Sequence, residues 1–280
     1  MLHPQSNMTQ TLPVYDSSER KWSALEELWE LLRYRHLVTQ MVRRDILSRY
    51  KRSVLGVAWT MLNPLGTTLI LSIVFSEVFG AAKSYSGYVF SGLIPWTFFA
   101  QATNACMVGL IWGGGLLRRI YLPRTVFAVS AVGTALVNLV LSIFPLIFVM
   151  LITGVMPRAS ALLLPIPILF LAMFSLGIGL ALSSIAIIFN DVLEMFSIVL
   201  TAWMYLSPVI YTVDRIPAKY MWLVRLNPMY HLINYFRAFI YDGIIPGWHD
   251  TLIAGGIGLV TLLIGWLLFC QRADEFAYRV

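Results

Sequence analysis

Charge is scarce along this chain. Only 12% of its 280 residues are Asp, Glu, Lys or Arg, against roughly 25% in ordinary soluble domains. Apolar residues make up 59% and the mean hydropathy is +0.76, so a soluble globule is excluded for want of a water-facing surface. Cysteine is nearly absent. Cys106 and Cys270 lie in separate apolar runs, imply no disulfide framework and read as inert buried thiols. No G-x-x-x-x-G-K-[ST] phosphate loop occurs, which excludes ATP hydrolysis by that route, and no HExxH or similar spacing offers a metal site. Glu77, Asp191, Glu194 and His231 fall at different expected depths, so no catalytic cluster forms. The apolar runs lack the central acidic or basic residues of an ion-coupled carrier, and no internal repeat is evident. The first 20 residues hold no apolar core of signal-peptide type, so no cleavage is expected there.

Long uncharged runs are what the chain does have. They are apolar on all sides for about 20 residues or more rather than alternating every second residue, which favours helices over a transmembrane barrel. The expected fold class is an all-α membrane protein with six transmembrane helices near 54–79, 86–112, 125–153, 161–188, 195–213 and 250–271. Pro64, Pro95, Pro145 and Pro208 are tolerated kinks, and Gly109-x-x-x-Gly113 and Gly177-x-Gly179 read as close helix packing.

The stretch from Arg43 to Leu65 sets the orientation. Arg43, Arg44, Asp45, Arg49, Lys51 and Arg52 crowd its first half, and nothing from Ser53 to Ser76 is charged. Such a switch marks passage from an anionic aqueous surface into hydrocarbon, with the basic side cytoplasmic. The net charge of +6 is thereby explained by membrane topology, without nucleic acid. With both termini inside, the basic residues before Val54, at Arg118, Arg119 and Arg124, and at Arg272 and Arg279 outnumber those outside.

Residues 1–21 are expected to form a disordered cytoplasmic tail, and 22–52 an amphipathic interface helix with Trp22, Leu25, Leu28, Trp29 and Leu32 at helical spacing. Alternatively that helix is a soluble arm docked on a partner. The domain itself spans 54–272, and 273–280 are a cytoplasmic tail. Between the fifth and sixth runs, His231, Asn234, Arg237 and Asp242 interrupt an otherwise apolar stretch. A central Arg or Asp costs about 2.5–3.5 kcal/mol in a span. Residues 216–242 therefore read as two short outer helices, Ile216–Leu226 and Pro228–Asp242, that dip into or lie on the outer interface and turn at Asn227-Pro228.

The loop GGGLLRRIYLPRTVF, 113–127, contains a short helix over 116–124, stopped by Pro123. It is either a docking point for an energy-supplying partner or an ordinary positive-inside loop. Trp59, Trp96, Phe98, Phe99, Trp112, Trp203, Tyr205 and Tyr211 spread through runs one, two and five. They could let a sugar chain slide, although interface belts and bundle packing account for aromatics equally well.

The arrangement resembles the permease subunits of type-2 ABC exporters of polysaccharides. The likeness rests on LWELLRYRHLVTQMVRRDILSRYKRSVLGVAWTMLNPL (28–65), GGGLLRRIYLPRTVF, IFNDV (188–192) and LSPVIYTVDRIPAKYMWLVRLNPMYHLINYFRAFIYDG (206–243). It implies a homodimer in a bacterial cytoplasmic (inner) membrane, in contact with membrane lipids and working with two copies of an ABC ATPase that supplies ATP and Mg. This chain would hold no cofactor and no catalytic residue. Coupling would fall to Leu116, Leu117, Arg118, Arg119, Ile120, Tyr121, Pro123 and Arg124, with the interface helix also touching the ATPase. The substrate would be a polysaccharide on a lipid, commonly undecaprenyl diphosphate, whose phosphates meet Arg43, Arg44, Arg49, Lys51 and Arg52. Trp59, Trp96, Phe98, Phe99, Trp203, Tyr205 and Tyr211 would line the channel. Pro217, Tyr220, Trp222, Asn227, Pro228, Tyr230, Tyr235 and Arg237 would form the outer gate. The rival expectations are a type-2 exporter of small hydrophobic molecules or drugs and a membrane-embedded glycan-modifying enzyme.

Overall fold

The computed structural model describes residues 23–51, 55–56, 58–79, 84–117, 123–189 and 191–272; these are helices and short connections, with no strand among them. An apolar chain with no water available to its backbone satisfies its N–H and C=O groups within each segment.

Helices α1 (Ser23–Arg33) and α2 (Arg35–Tyr50) replace the single expected interface helix. The chain breaks at Tyr34, where φ is −91° and ψ is 16°. Glu26 in the first turn of α1 and Arg33 in its last complement the helix dipole. Leu25, Leu28, Leu32 and above all Trp29 (72% accessible) are left uncovered by the rest of the chain. By contrast, α2 is seated on protein. Met41 is buried and takes a contact from Ser130 Oγ, and Val42 sits over Gly133 so closely that a Cβ there would lie 2.9 Å from its methyl.

Five long helices follow: α3 (Ala58–Phe79), α4 (Tyr85–Leu117), α5 (Thr125–Ile152), α6 (Pro165–Ala186) and, last in the chain, α10 (Trp248–Gln271). Before α10 come α7 (Val192–Leu206), α8 (Met221–Leu226) and α9 (Pro228–Arg237). Among the described residues four helices, α3, α5, α6 and α10, are both long and apolar enough to cross a membrane. The other two expected runs differ for separate reasons. At 33 residues α4 has ample length but is diluted by Thr97, Gln101, Thr103 and Asn104. At 15 residues α7 spans about 22 Å of rise, short of a core about 30 Å thick.

The core is organised around α4, whose Phe90, Ile94, Phe98, Phe99 and Met107 are fully buried against α5, α6 and α9. The closest approach is between α6 and α10. A Cβ on Gly265 would collide with the Gly177 carbonyl, and one on Gly258 would stand 2.7 Å from Phe170 O, the close contact that small residues permit in membranes. Gly109 makes only an ordinary contact, its Cβ position lying 3.9 Å from Phe127 O, so the expected tight packing there is absent on that side.

The two ends of the bundle differ. At one end Glu27 of α1 accepts from Thr125 N (3.2 Å) and Thr125 Oγ1 (3.1 Å), capping α5, and Trp266 Nε1 donates to Ala24 O at 3.1 Å. At the other, Tyr85 and Tyr88 hydroxyls donate to Ile210 O (2.9 Å) and Tyr211 O (3.2 Å), while Ser160 Oγ donates to Phe239 O at 2.8 Å.

Candidate substrate path and gating site

Arg237 closes the second end. It is 3% accessible and lies within the protein, on the second of the two short helices expected to dip into or lie on the outer interface. The cost of a buried cation is met by neutral acceptors. Its Nε donates to Ser91 Oγ at 3.2 Å; Nη1 and Nη2 both reach Pro208 O, and Nη1 also reaches Asn234 Oδ1 and Nη2 Tyr88 O, each at 3.3 Å. The guanidinium lies 3.7 Å from the Tyr88 ring centroid, a desolvated cation–π contact. Burial pushes Arg237 below its ordinary range, while burial raises the Asp242 carboxyl and the nearby Arg237 opposes that rise. One side chain thus ties α9 to α4 and to the turn after α7. After α9 a wide turn over Ala238–Asp242 ends at Gly243, whose φ of +69° is left-handed and whose missing Cβ leaves room for Arg158.

Asn227 is a second tie. Its Oδ1 accepts from Met229 N (3.0 Å), starting α9, and from Trp203 Nε1 (2.8 Å); its Nδ2 donates to Ser207 Oγ at 2.8 Å. Pro228 follows at the first helical position, and Tyr235 OH pairs with Thr251 Oγ1 at 3.0 Å. Pro217, Tyr220 and Trp222 are on the exposed side, Trp222 at 64% accessibility, and Tyr230 is half-buried.

The candidate channel aromatics separate into two groups. Trp96, Phe98 and Phe99 are buried inside the protomer, a correction to their expected place on a channel wall. Trp203 joins them, 5.2 Å from Phe99, 6.4 Å from Trp96 and 6.3 Å from Phe174 between ring centroids. Edge-on packing of this kind favours core cohesion. Tyr211 is half-buried, its hydroxyl donating to Tyr205 O at 2.8 Å. Trp59 on α3 and Tyr205 on α7 present 56% and 61% of their surface.

The basic cluster on α2 is partly assembled. Arg44 and Arg49 border a cavity of about 940 Å³ between α2, α4 and α5, whose other walls include Gln101, Asn104, Ser130, Thr134 and Asn138. Arg44 is held by Asp45 at 3.0 Å, whereas Arg49 has no ion pair among the described residues. Arg43 on α2 and Lys51 just after it are exposed and outside this lining; Arg52 lies outside the described residues. The uncharged polar residues of α4 and α5 were missed in a search for ionisable groups. Their signal was spacing, since Thr97, Gln101 and Asn104, and likewise Ser130, Thr134 and Asn138, recur on one helical face.

Of the coupling residues, Leu116 and Leu117 form the end of α4, and Pro123 (buried) and Arg124 precede α5. Arg118, Arg119, Ile120 and Tyr121 lie outside the described residues, as do Trp22 and the tails 1–21 and 273–280. Glu77 is exposed on α3, Asp191 and Glu194 are exposed at the start of α7, and His231 Nε2 pairs with Arg225 O at 2.8 Å. Among the described residues no His, Cys, Asp and Glu group could hold a metal.

The sequence of residues 36–241 matches a known family, that of the ABC-2 type transporter. The chain belongs to the ABC-2 type transporter family. An O-antigen export system permease protein, RfbA of Myxococcus xanthus, is 30% identical over 90% of this chain and 98% of its own length. RfbA of Klebsiella pneumoniae is 26% identical over 86% and 93%, and the polysialic acid transport protein KpsM of Escherichia coli is 24% identical over 85% and 93%. The resemblance to type-2 ABC permeases of polysaccharide export is borne out. Members of this ABC-2 family are transport subunits rather than catalysts.

Proposed function

We propose that this ABC-2 permease exports a lipid-linked polysaccharide, an O-antigen, capsule or related glycan, across a bacterial cytoplasmic membrane as a homodimer powered by two copies of a separate ATPase. The observation that carries this reading is similarity to O-antigen and polysialic acid export proteins along most of the chain. In this reading α3 to α7 and α10 are six spans, with both termini cytoplasmic. The uncovered face of α1 supports an interfacial position for it, and the scarcely buried α3 and the exposed Met195, Ile198 and Val199 of α7 support a facing second protomer. Trp59 and Tyr205 then flank the channel, and α8 and α9 guard its outer mouth.

ATP and Mg act in the partner, whose closure pushes the segment Leu116–Arg124. That push enters α5 directly after Pro123, where Glu27 holds Thr125. The lipid is undecaprenyl diphosphate or a close analogue, its charge met by the arginines of α2. The test is a triple variant, Leu117→Ala, Arg119→Ala and Tyr121→Ala, which should insert and dimerise while ATP turnover no longer moves glycan. Full export by that variant would remove the coupling role. Drug sensitivity with intact surface glycan after deletion of the gene would instead overturn the cargo assignment.

A further inference from the structure

Amide side chains on apolar helices gather where something polar must be met. Here they gather in one place. Gln101 and Asn104 of α4 face Asn138 of α5 across the cavity of about 940 Å³, which adjoins a second of about 360 Å³; Arg49, Gln101 and Asn138 border both. The smaller cavity is completed by Trp59 and Asn63 of α3. Asn138 Nδ2 donates to Gln101 Oε1 at 3.3 Å, yet the Gln101 amino group and the Asn104 side chain have no partner among the described residues. Gln101 is exposed and Asn104 half-buried along the cavity wall, so both amides present hydrogen-bonding groups to whatever enters it.

The composition of the walls indicates which ligand. An indole face suits the apolar face of a pyranose, amides suit its hydroxyls, and an unpaired guanidinium suits a phosphate oxygen. We propose that the two cavities form a headgroup site within one protomer that takes the phosphate-linked first sugar of the lipid-linked glycan. Arg49 receives the phosphate, Gln101, Asn104 and Asn138 the sugar hydroxyls, and Trp59 and Asn63 the far side of the ring. This site rests on the export reading above, and it adds that the permease recognises sugar as well as charge before translocation.

The test uses the permease–ATPase complex in phosphatidylcholine nanodiscs with two labelled probes, a polyprenyl diphosphate bearing one hexose and the same lipid without the hexose. Asn104→Ala removes no side-chain hydrogen bond among the described residues, so folding is spared; it should weaken the hexose probe roughly tenfold and leave the sugar-free probe unchanged. Gln101→Leu with Asn138→Leu should weaken the hexose probe further, and Arg49→Gln should weaken both. Unchanged hexose binding by Asn104→Ala and the double variant overturns the proposal. So does equal wild-type affinity for the two probes, or displacement of both by phosphatidylglycerol alone, which would make this an ordinary phospholipid pocket. A complex that exports glycan while the cavity variants bind and export normally defeats the headgroup site alone. A complex that binds neither probe and moves no glycan defeats the export reading as well.

Discussion

Replacing Arg237 with Met keeps much of the side-chain volume but removes every donor. Pro208 O then loses two hydrogen bonds and Tyr88 O, Ser91 Oγ and Asn234 Oδ1 lose one each. Each buried acceptor left unmet costs about 1–3 kcal/mol, and the lost cation–π contact about 2 kcal/mol. Relief from burying a cation offsets part of this, leaving about 3 kcal/mol against the docking of α9. A local opening equilibrium shifted by that amount rises roughly hundredfold. Amide hydrogen exchange across Asn227–Asp242 in the reconstituted protein should accelerate to that extent, while α6 and α10 stay protected. Gly92→Ala attacks the same contact from α4, because its Cβ would collide with Arg237 Nη2, and should reproduce the pattern. Arg237→Lys should rescue only in part, since one ammonium cannot span both carbonyls. Native protection over α9 in both Arg237→Met and Gly92→Ala would refute the pin.

Glu27→Ala should free α1 from the start of α5, at a cost of about 1–2 kcal/mol, seen as faster exchange in 23–33 and weaker coupling of ATP turnover to export. Gly265→Val should force α6 and α10 apart, costing about 1–3 kcal/mol or more and lowering the yield of folded protein, whereas Gly256→Ala, with nothing within 4 Å of its Cβ position, should be neutral; equal yields for the two would contradict the packing. Trp203→Phe should cost about 1 kcal/mol through loss of the Nε1 bond to Asn227 Oδ1, which keeps its bond from Met229 N, measured as a lower midpoint of thermal unfolding.

Helical class and the approximate place of every long helix were legible because hydrocarbon leaves the backbone so few choices. The break at Tyr34 was not, since the apolar stripe of Leu37, Val38 and Met41 runs on past it and Tyr is no helix breaker. Counting the insertion cost of Arg237 argued against a seventh span, but a hydropathy argument knows only water and lipid; the carbonyl of Pro208 and the ring of Tyr88, far away in sequence, supply a third environment. Trp96 and Phe99 illustrate the same limit. Aromatic content cannot tell a channel wall from a core, and neighbours on α6 and α7, Phe174 and Trp203, decide it. The arginines of α2 stood out by charge, while Gln101, Asn104 and Asn138 could be found only by reading polar residues for helical spacing across two different helices.

The central claim is that this permease moves glycan only when a separate subunit hydrolyses ATP. Proteoliposomes loaded with labelled lipid-linked glycan test it directly, prepared with the permease alone and with the ATPase that copurifies with it. The account predicts glycan translocation only in the two-component vesicles and only with ATP and Mg. Uphill glycan movement by the permease alone, or none in the complete system during active ATP turnover, would contradict it.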